Sequence, residues 1–187
     1  GFIAMIPYYD EIEKIEKGKL HIDETFRHVL MDMSYGLKNL CSFESHENDL
    51  FELEKKIKIY RKKSYRYHDN VFNNTSAAYI QYFETRLSQI YRLMMMQEQF
   101  DDVFVTQRES EIIGNLTEDI VQWMIKDPDT AYDTSKFEAL RVFYRQAPLP
   151  KTRTEFEDRA RLYSYFNNLE IFVSAMCRDK NKFEKHS

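Results

Sequence analysis

Apolar side chains recur along this chain at intervals of three and four residues, the spacing that gathers them on one face of an α-helix. A first helix is predicted from Pro7 to Cys41. Ile12, Ile15, Ile22, Phe26, Val29, Met33, Leu37 and Leu40 keep the step, apart from one seven-residue gap that holds Lys19. A second helix is predicted from Glu47 to Asn70. Its start is acidic (Glu47, Asp49, Glu52, Glu54) and its end basic, the order that complements the helix dipole. A third runs from Ala77 to Gln99 with the stripe Tyr79, Phe83, Leu87, Ile90 and Met94, and "NNTS" (73–76) offers Thr75 or Ser76 as its N-cap. A fourth, from Gln107 to Lys126, carries Ile112, Ile113, Leu116, Ile120, Trp123 and Met124. A short fifth from Thr134 to Gln146 turns Phe137, Leu140 and Tyr144 inward.

The sixth helix is preceded by the most specified stretch of the chain, "PLPKTRTEFEDRARLYSYF" (148–166). Pro148 and Pro150, on either side of Leu149, each push their predecessor out of the helical region and so set an extended turn. Thr152-Arg153-Thr154-Glu155 and Thr154-Glu155-Phe156-Glu157 both match the Thr-x-x-Glu capping box. Glu155 with Arg159, and Glu157 with Arg161, are spaced as i,i+4 ion pairs. The helix is expected to reach Arg178, with Phe156, Ala160, Tyr163, Phe166, Val173 and Met176 inward. The pattern therefore predicts an all-α protein: an elongated antiparallel bundle of five to six helices built on a four-helix layer. The first, second, third and sixth helices make that layer, and the fourth and fifth pack at one end or side.

Composition supports this. Four glycines and four prolines in 187 residues are too few turn residues for a β-rich chain. A net charge of −4 argues against a general nucleic-acid binder. Cys41 and Cys177 match no metal or redox spacing, which suits a reducing compartment. The longest apolar run, "FIAMI" (2–6), falls far short of the roughly 20 residues that span a bilayer. Residues 1–6 read as an apolar junction stub before a single domain, 7–187.

Two charges stand on faces that should be apolar, Arg86 on the third helix and Glu170 on the sixth. A buried ion needs a partner, so the two are expected to meet, joined by Tyr82, Glu84 or Arg159. The cluster reads either as an anion pocket for a small acid or as a structural pair fixing helix register. The run "KKIKIYRKKSYRYH" (55–68) holds seven Lys or Arg, between Lys55 and Arg66. It could face anionic lipid or simply form a solvated helix end. His21, Glu24 and His28 share one helix face, yet the Glu-x-x-His pattern of di-iron bundles is missing. No metal or other cofactor is expected, and His46, His68 and His186 are expected at the surface. Nucleophile motifs and glycine-rich phosphate loops are likewise missing, so an enzyme is not expected.

Two stretches carry a family resemblance. "YIQYFETRLSQIYRLM" (79–94) is similar to a Tyr-x-x-Tyr-Phe-x-x-Arg-x-x-Gln…Met pattern. "YRQAPLPKTRTEFEDRARLYSYFNNLEIF" (144–172) is similar to Leu-Pro-Lys-Thr-Arg-x-Glu-Phe-Glu-x-Arg-Ala followed by an aromatic run and Leu-Glu-x-Phe; Tyr163 and Tyr165 stand where other hydrophobic residues are usual. Together they resemble the C-terminal domain of the bacterial putative aromatic acid exporter family. The resemblance implies a domain on the cytoplasmic side of the cell membrane, following a block of membrane helices on the same polypeptide, with "FIAMI" as the junction. A homo-oligomer is compatible with it. The residues Pro148, Leu149, Pro150, Thr152, Arg153, Thr154 and Glu157 are then a family hallmark without a catalytic role. The expected function is an accessory domain supporting assembly or regulation of the membrane part. The alternative is a sensor binding a small aromatic carboxylate near Arg86.

Overall fold

The computed structural model describes the backbone of residues 2–42, 45–100, 104, 106–126 and 130–184, and side chains from 10 to 177 within those stretches. Six helices follow one another: α1 Phe2–Asn39, α2 Glu47–Val71, α3 Asn74–Glu98, α4 Gln107–Lys126, α5 Ser135–Gln146 and α6 Arg153–Glu184. No strand occurs among the described residues. No helix among them is long and apolar enough to cross a membrane. The expected all-α bundle is what forms. The expected start of the first helix at Pro7 is corrected, because the backbone is helical on both sides of that proline and residues 2–6 are the opening turns of α1.

Side-chain contacts give the directions. His46, just before α2, meets Asp32 near the end of α1, while the Tyr60 ring lies over Gly18. α2 therefore runs back along α1. α3 reverses again: Arg61 of α2 reaches Glu84, and Tyr91 donates to Glu54. α6 is antiparallel to α3, with Arg92 bonded to Asn168 and Gln89 to the Phe172 carbonyl. α4 lies antiparallel along α1 through two short hydrogen bonds, Ser110 Oγ to the Leu37 carbonyl (2.6 Å) and Ser34 Oγ to the Gly114 carbonyl (2.7 Å). The successive packing of α1, α2, α3 and α6 matches the expected layer. α4 packs against both α1 and α6 and closes the ring, so it is an integral wall rather than an appendage.

Phe26 meets Phe172 at 5.3 Å between ring centroids, joining α1 to α6. Phe137 of α5 meets Phe166 at 5.5 Å, which seats the short helix on α6. The buried face of α6 is Asp158, Leu162, Tyr165, Phe166, Leu169, Phe172, Val173 and Met176. That corrects the expected stripe in the first half of the helix. Phe156 and Tyr163 point outward, and Ala160 is exposed as well.

Both ends of the α2–α3 connection are locally specified. Phe72 ends α2 in the left-handed region, a usual way to stop a helix. The N-cap of α3 is Asn73, not Thr75 or Ser76. Its side chain accepts from the Ser76 N–H at 2.8 Å, and Ser76 Oγ answers the Asn73 N–H. Asn and Ser at this spacing satisfy two otherwise orphan donors in the manner of a capping box.

Candidate functional site

Arg86 and Glu170 do not pair with each other as expected. Arg86, 4% exposed, donates through Nε to Asp23 of α1 (3.2 Å) and through Nη1 to Gln89 (2.8 Å). Gln89 passes the link to the Phe172 carbonyl of α6. The guanidinium lies over the Tyr82 ring at 4.2 Å, and the Tyr82 hydroxyl donates to Asp23. Burial is the first cause that holds the Tyr82 phenol well above its ordinary value. The network thus ties α1, α3 and α6. Of the expected companions, only Tyr82 belongs to this network in the contacts described. Glu84 faces Arg61. Glu170 takes a bidentate bond from Arg141 of α5, which spacing along α6 could not reveal because the partner comes from another helix.

The 148–166 stretch builds a second constellation. Thr152 is the working cap of α6: its Oγ1 accepts from the Glu155 N–H (3.2 Å), and the Glu155 carboxylate accepts from the Lys151 N–H (2.7 Å). Thr154 already lies inside the helix, and Glu157 is engaged by Arg153 at 2.7 Å. The expected Glu155–Arg159 and Glu157–Arg161 pairs give way to other contacts. Arg159 donates to the Pro148 carbonyl (2.7 Å) and to Glu109 of α4 (3.3 Å). Arg161 binds Asp158 (2.5 Å) and the Gln99 carbonyl (3.0 Å).

Asp158 is a structural residue that the sequence pattern missed. Only 2% exposed, it accepts from the Thr106 N–H and hydroxyl. Its negative charge so sits at the start of α4, where the helix dipole favours it. The signal was available: an acid four residues before Leu162 continues the 162, 165, 169, 172, 176 rhythm. The motif therefore clamps the start of α4 and the end of α5 to α6.

What the clamp leaves outside is a groove of about 400 Å³ lined by Arg141, Tyr144, Leu149, Phe156, Arg159 and Tyr163, among others. Leu149 is 85% exposed and Phe156 64%. Arg159 Nε is buried with no hydrogen-bond partner.

In the basic run, Lys55 and Lys58 pair with Glu52 and Glu54 of their own helix, and Arg61 with Glu84. His68 is half-buried and bonded to Ser76, and His46 is buried; neither is the surface residue expected. His186 lies outside the described residues. Cys41 and Cys177 are free thiols.

Comparison with solved structures gives a crystal structure of a putative membrane protein from Clostridium difficile 630. It has 19% identity and a TM-score of 0.72, and the match covers 89% of this chain and 99% of that one. At that identity the likeness establishes the fold alone. No curated protein matches. The family described as putative aromatic acid exporter C-terminal domain matches residues 13–175, a span that contains both sequence motifs, the Arg86 network and the α4–α6 clamp. This chain belongs to that family.

Proposed function

We propose that this is a non-enzymatic accessory domain on the cytoplasmic side of a membrane protein of the aromatic-acid-exporter type. It supports assembly or regulation of the membrane-spanning part of the same polypeptide. One observation carries the reading. The most specified stretch of the chain is fixed from within by its cap and by Asp158, Arg159 and Arg161, yet it holds Leu149 and Phe156 out to solvent. Rigidly presented apolar side chains suit a contact with another surface.

The test is Leu149→Glu with Phe156→Glu in the full-length protein. Domain unfolding should stay within about 0.5 kcal/mol of wild type, as for surface substitutions. The solubilised full-length protein should lose its wild-type elution position. An unchanged elution profile would remove this face from assembly.

The second reading, a sensor for a small aromatic carboxylate, is favoured by one observation away from Arg86. The unpartnered Nε–H of Arg159 borders the aromatic groove, whereas Arg86 is already engaged by Asp23 and Gln89. A carboxylate ligand should raise the unfolding temperature in Arg86→Met and not in Arg159→Gln; the reverse would return the site to Arg86. For lipid, the residues of 55–66 outside those three ion pairs are Lys56, Lys62, Lys63 and Arg66. Cosedimentation with anionic vesicles, abolished by salt, is the expected sign.

A further inference from the structure

His28 and Asp32 are one turn apart on α1, and His46 comes to them from the residue just before α2. One ligand atom from each lies within 4.8 Å of the other two. His46 Nε2 is 2.6 Å from Asp32 Oδ2, and His28 Nε2 is 3.7 Å from the same oxygen. The two imidazoles stand edge to face at 5.3 Å. A tetrahedral divalent ion about 2.1 Å from each donor sets donor atoms roughly 3.4 Å apart, a spacing that the two distances bracket.

The surroundings are built as a metal site needs. The side chain of His46 is 6% exposed. Its other ring nitrogen, Nδ1, faces Asp49 Oδ2 at 3.3 Å, the carboxylate–histidine arrangement that fixes ring orientation and raises ligand basicity. Its backbone N–H is held by Gln97 of α3 at 3.1 Å. His28 is 68% exposed and borders a groove of about 410 Å³, with His21, Glu24, Asp49 and Glu52 also on its wall. A fourth ligand, water, can enter from there.

We propose that His28, Asp32 and His46 form a binding site for a divalent transition-metal ion, zinc by donor type, oriented by Asp49. Two imidazoles and a carboxylate, without thiolate, suit zinc, nickel or copper and not calcium or magnesium. The ion would pin the start of α2 to α1 across the first turn. His21, Glu24 and His28 share one helix face and stand out as a set in the sequence, whereas His46 reaches the site only because the first turn folds it back onto α1.

The test is calorimetric titration of the chelator-stripped 187-residue chain with zinc, with magnesium as control. One zinc per chain is expected, with a rise in unfolding temperature that saturates at one equivalent and no response to magnesium. His28→Ala changes a largely exposed side chain and keeps the fold testable even if a His46 variant does not fold. It and Asp32→Asn should abolish the saturable site. Asp49→Asn should weaken it about 10–100-fold, and His21→Ala should leave it. No stoichiometric zinc binding, or binding unchanged in His28→Ala and Asp32→Asn, overturns the proposal.

Discussion

At the scale of single residues, Arg86 shows how one misplaced charge organises a core. Its face of α3 is apolar apart from Gln89, and the sequence marked it correctly as a residue that must be partnered. The partner was not legible: Asp23 stands among polar residues of α1 and carries no signal of its own. Truncating the arginine leaves Asp23 and Gln89 with lost bonds in a largely dry setting. Breaking a buried pair costs about 3–5 kcal/mol. Asp23 is 30% exposed, so water recovers part of that, and Arg86→Met should lose about 3 kcal/mol in denaturant unfolding. Asp23→Asn should lose less, and the double variant should lose less than the sum. A stable Arg86→Met would mean that the network contributes nothing to folding.

Among the helices, the rhythm of apolar positions was a sound guide wherever the buried face was also the apolar face. α4 has the predicted bounds for that reason. It failed in the first half of α6. There Phe156 and Tyr163 are apolar but turned outward, while Asp158 is charged but turned inward. The mismatch falls on the stretch proposed to make contacts, as expected where function overrides local consistency.

The α1–α4 contact is a feature that pattern alone could not reveal, because it depends on close approach. A Cβ built on Gly114 would lie 2.6 Å from Lys38 Cγ and 3.1 Å from both Leu37 Cβ and the Ser34 carbonyl. Lysine can swing away, but the Ser34 backbone cannot without moving α1. Alanine gains about 1 kcal/mol of helix propensity against an overpacking penalty of about 1–3 kcal/mol. Gly114→Ala should therefore be destabilised by about 1 kcal/mol, and Gly114→Val by more. Urea unfolding measures both. An alanine variant more stable than wild type would show that the two helices have room to spare.

For the whole molecule, five tyrosines are held as neutral phenols in or at the edge of the core. Tyr79, Tyr82, Tyr132, Tyr144 and Tyr165 are distributed over α3, the segment before α5, α5 and α6. Burial is the largest cause that raises each above the ordinary value of 10.0. In the unfolded chain these groups ionise near pH 10. Above that pH the unfolded state releases protons that the folded state keeps, so stability is intact below about pH 10 and falls as pH rises towards the folded values. Each fully buried group removes up to about 1.4 kcal/mol per pH unit, and solvent screening lowers this for the partly exposed Tyr144 and for Tyr79 and Tyr132. Against a total stability of about 5–15 kcal/mol, the combined loss destabilises the bundle progressively as pH rises above about 10. Circular dichroism and phenolate absorbance should be followed in one alkaline titration. The phenolates of the buried set should appear together with the loss of helical signal, because ionisation and unfolding are one event. Their appearance while the helices persist would show that water reaches these hydroxyls in the folded bundle, and that the interior is more open than its packing implies.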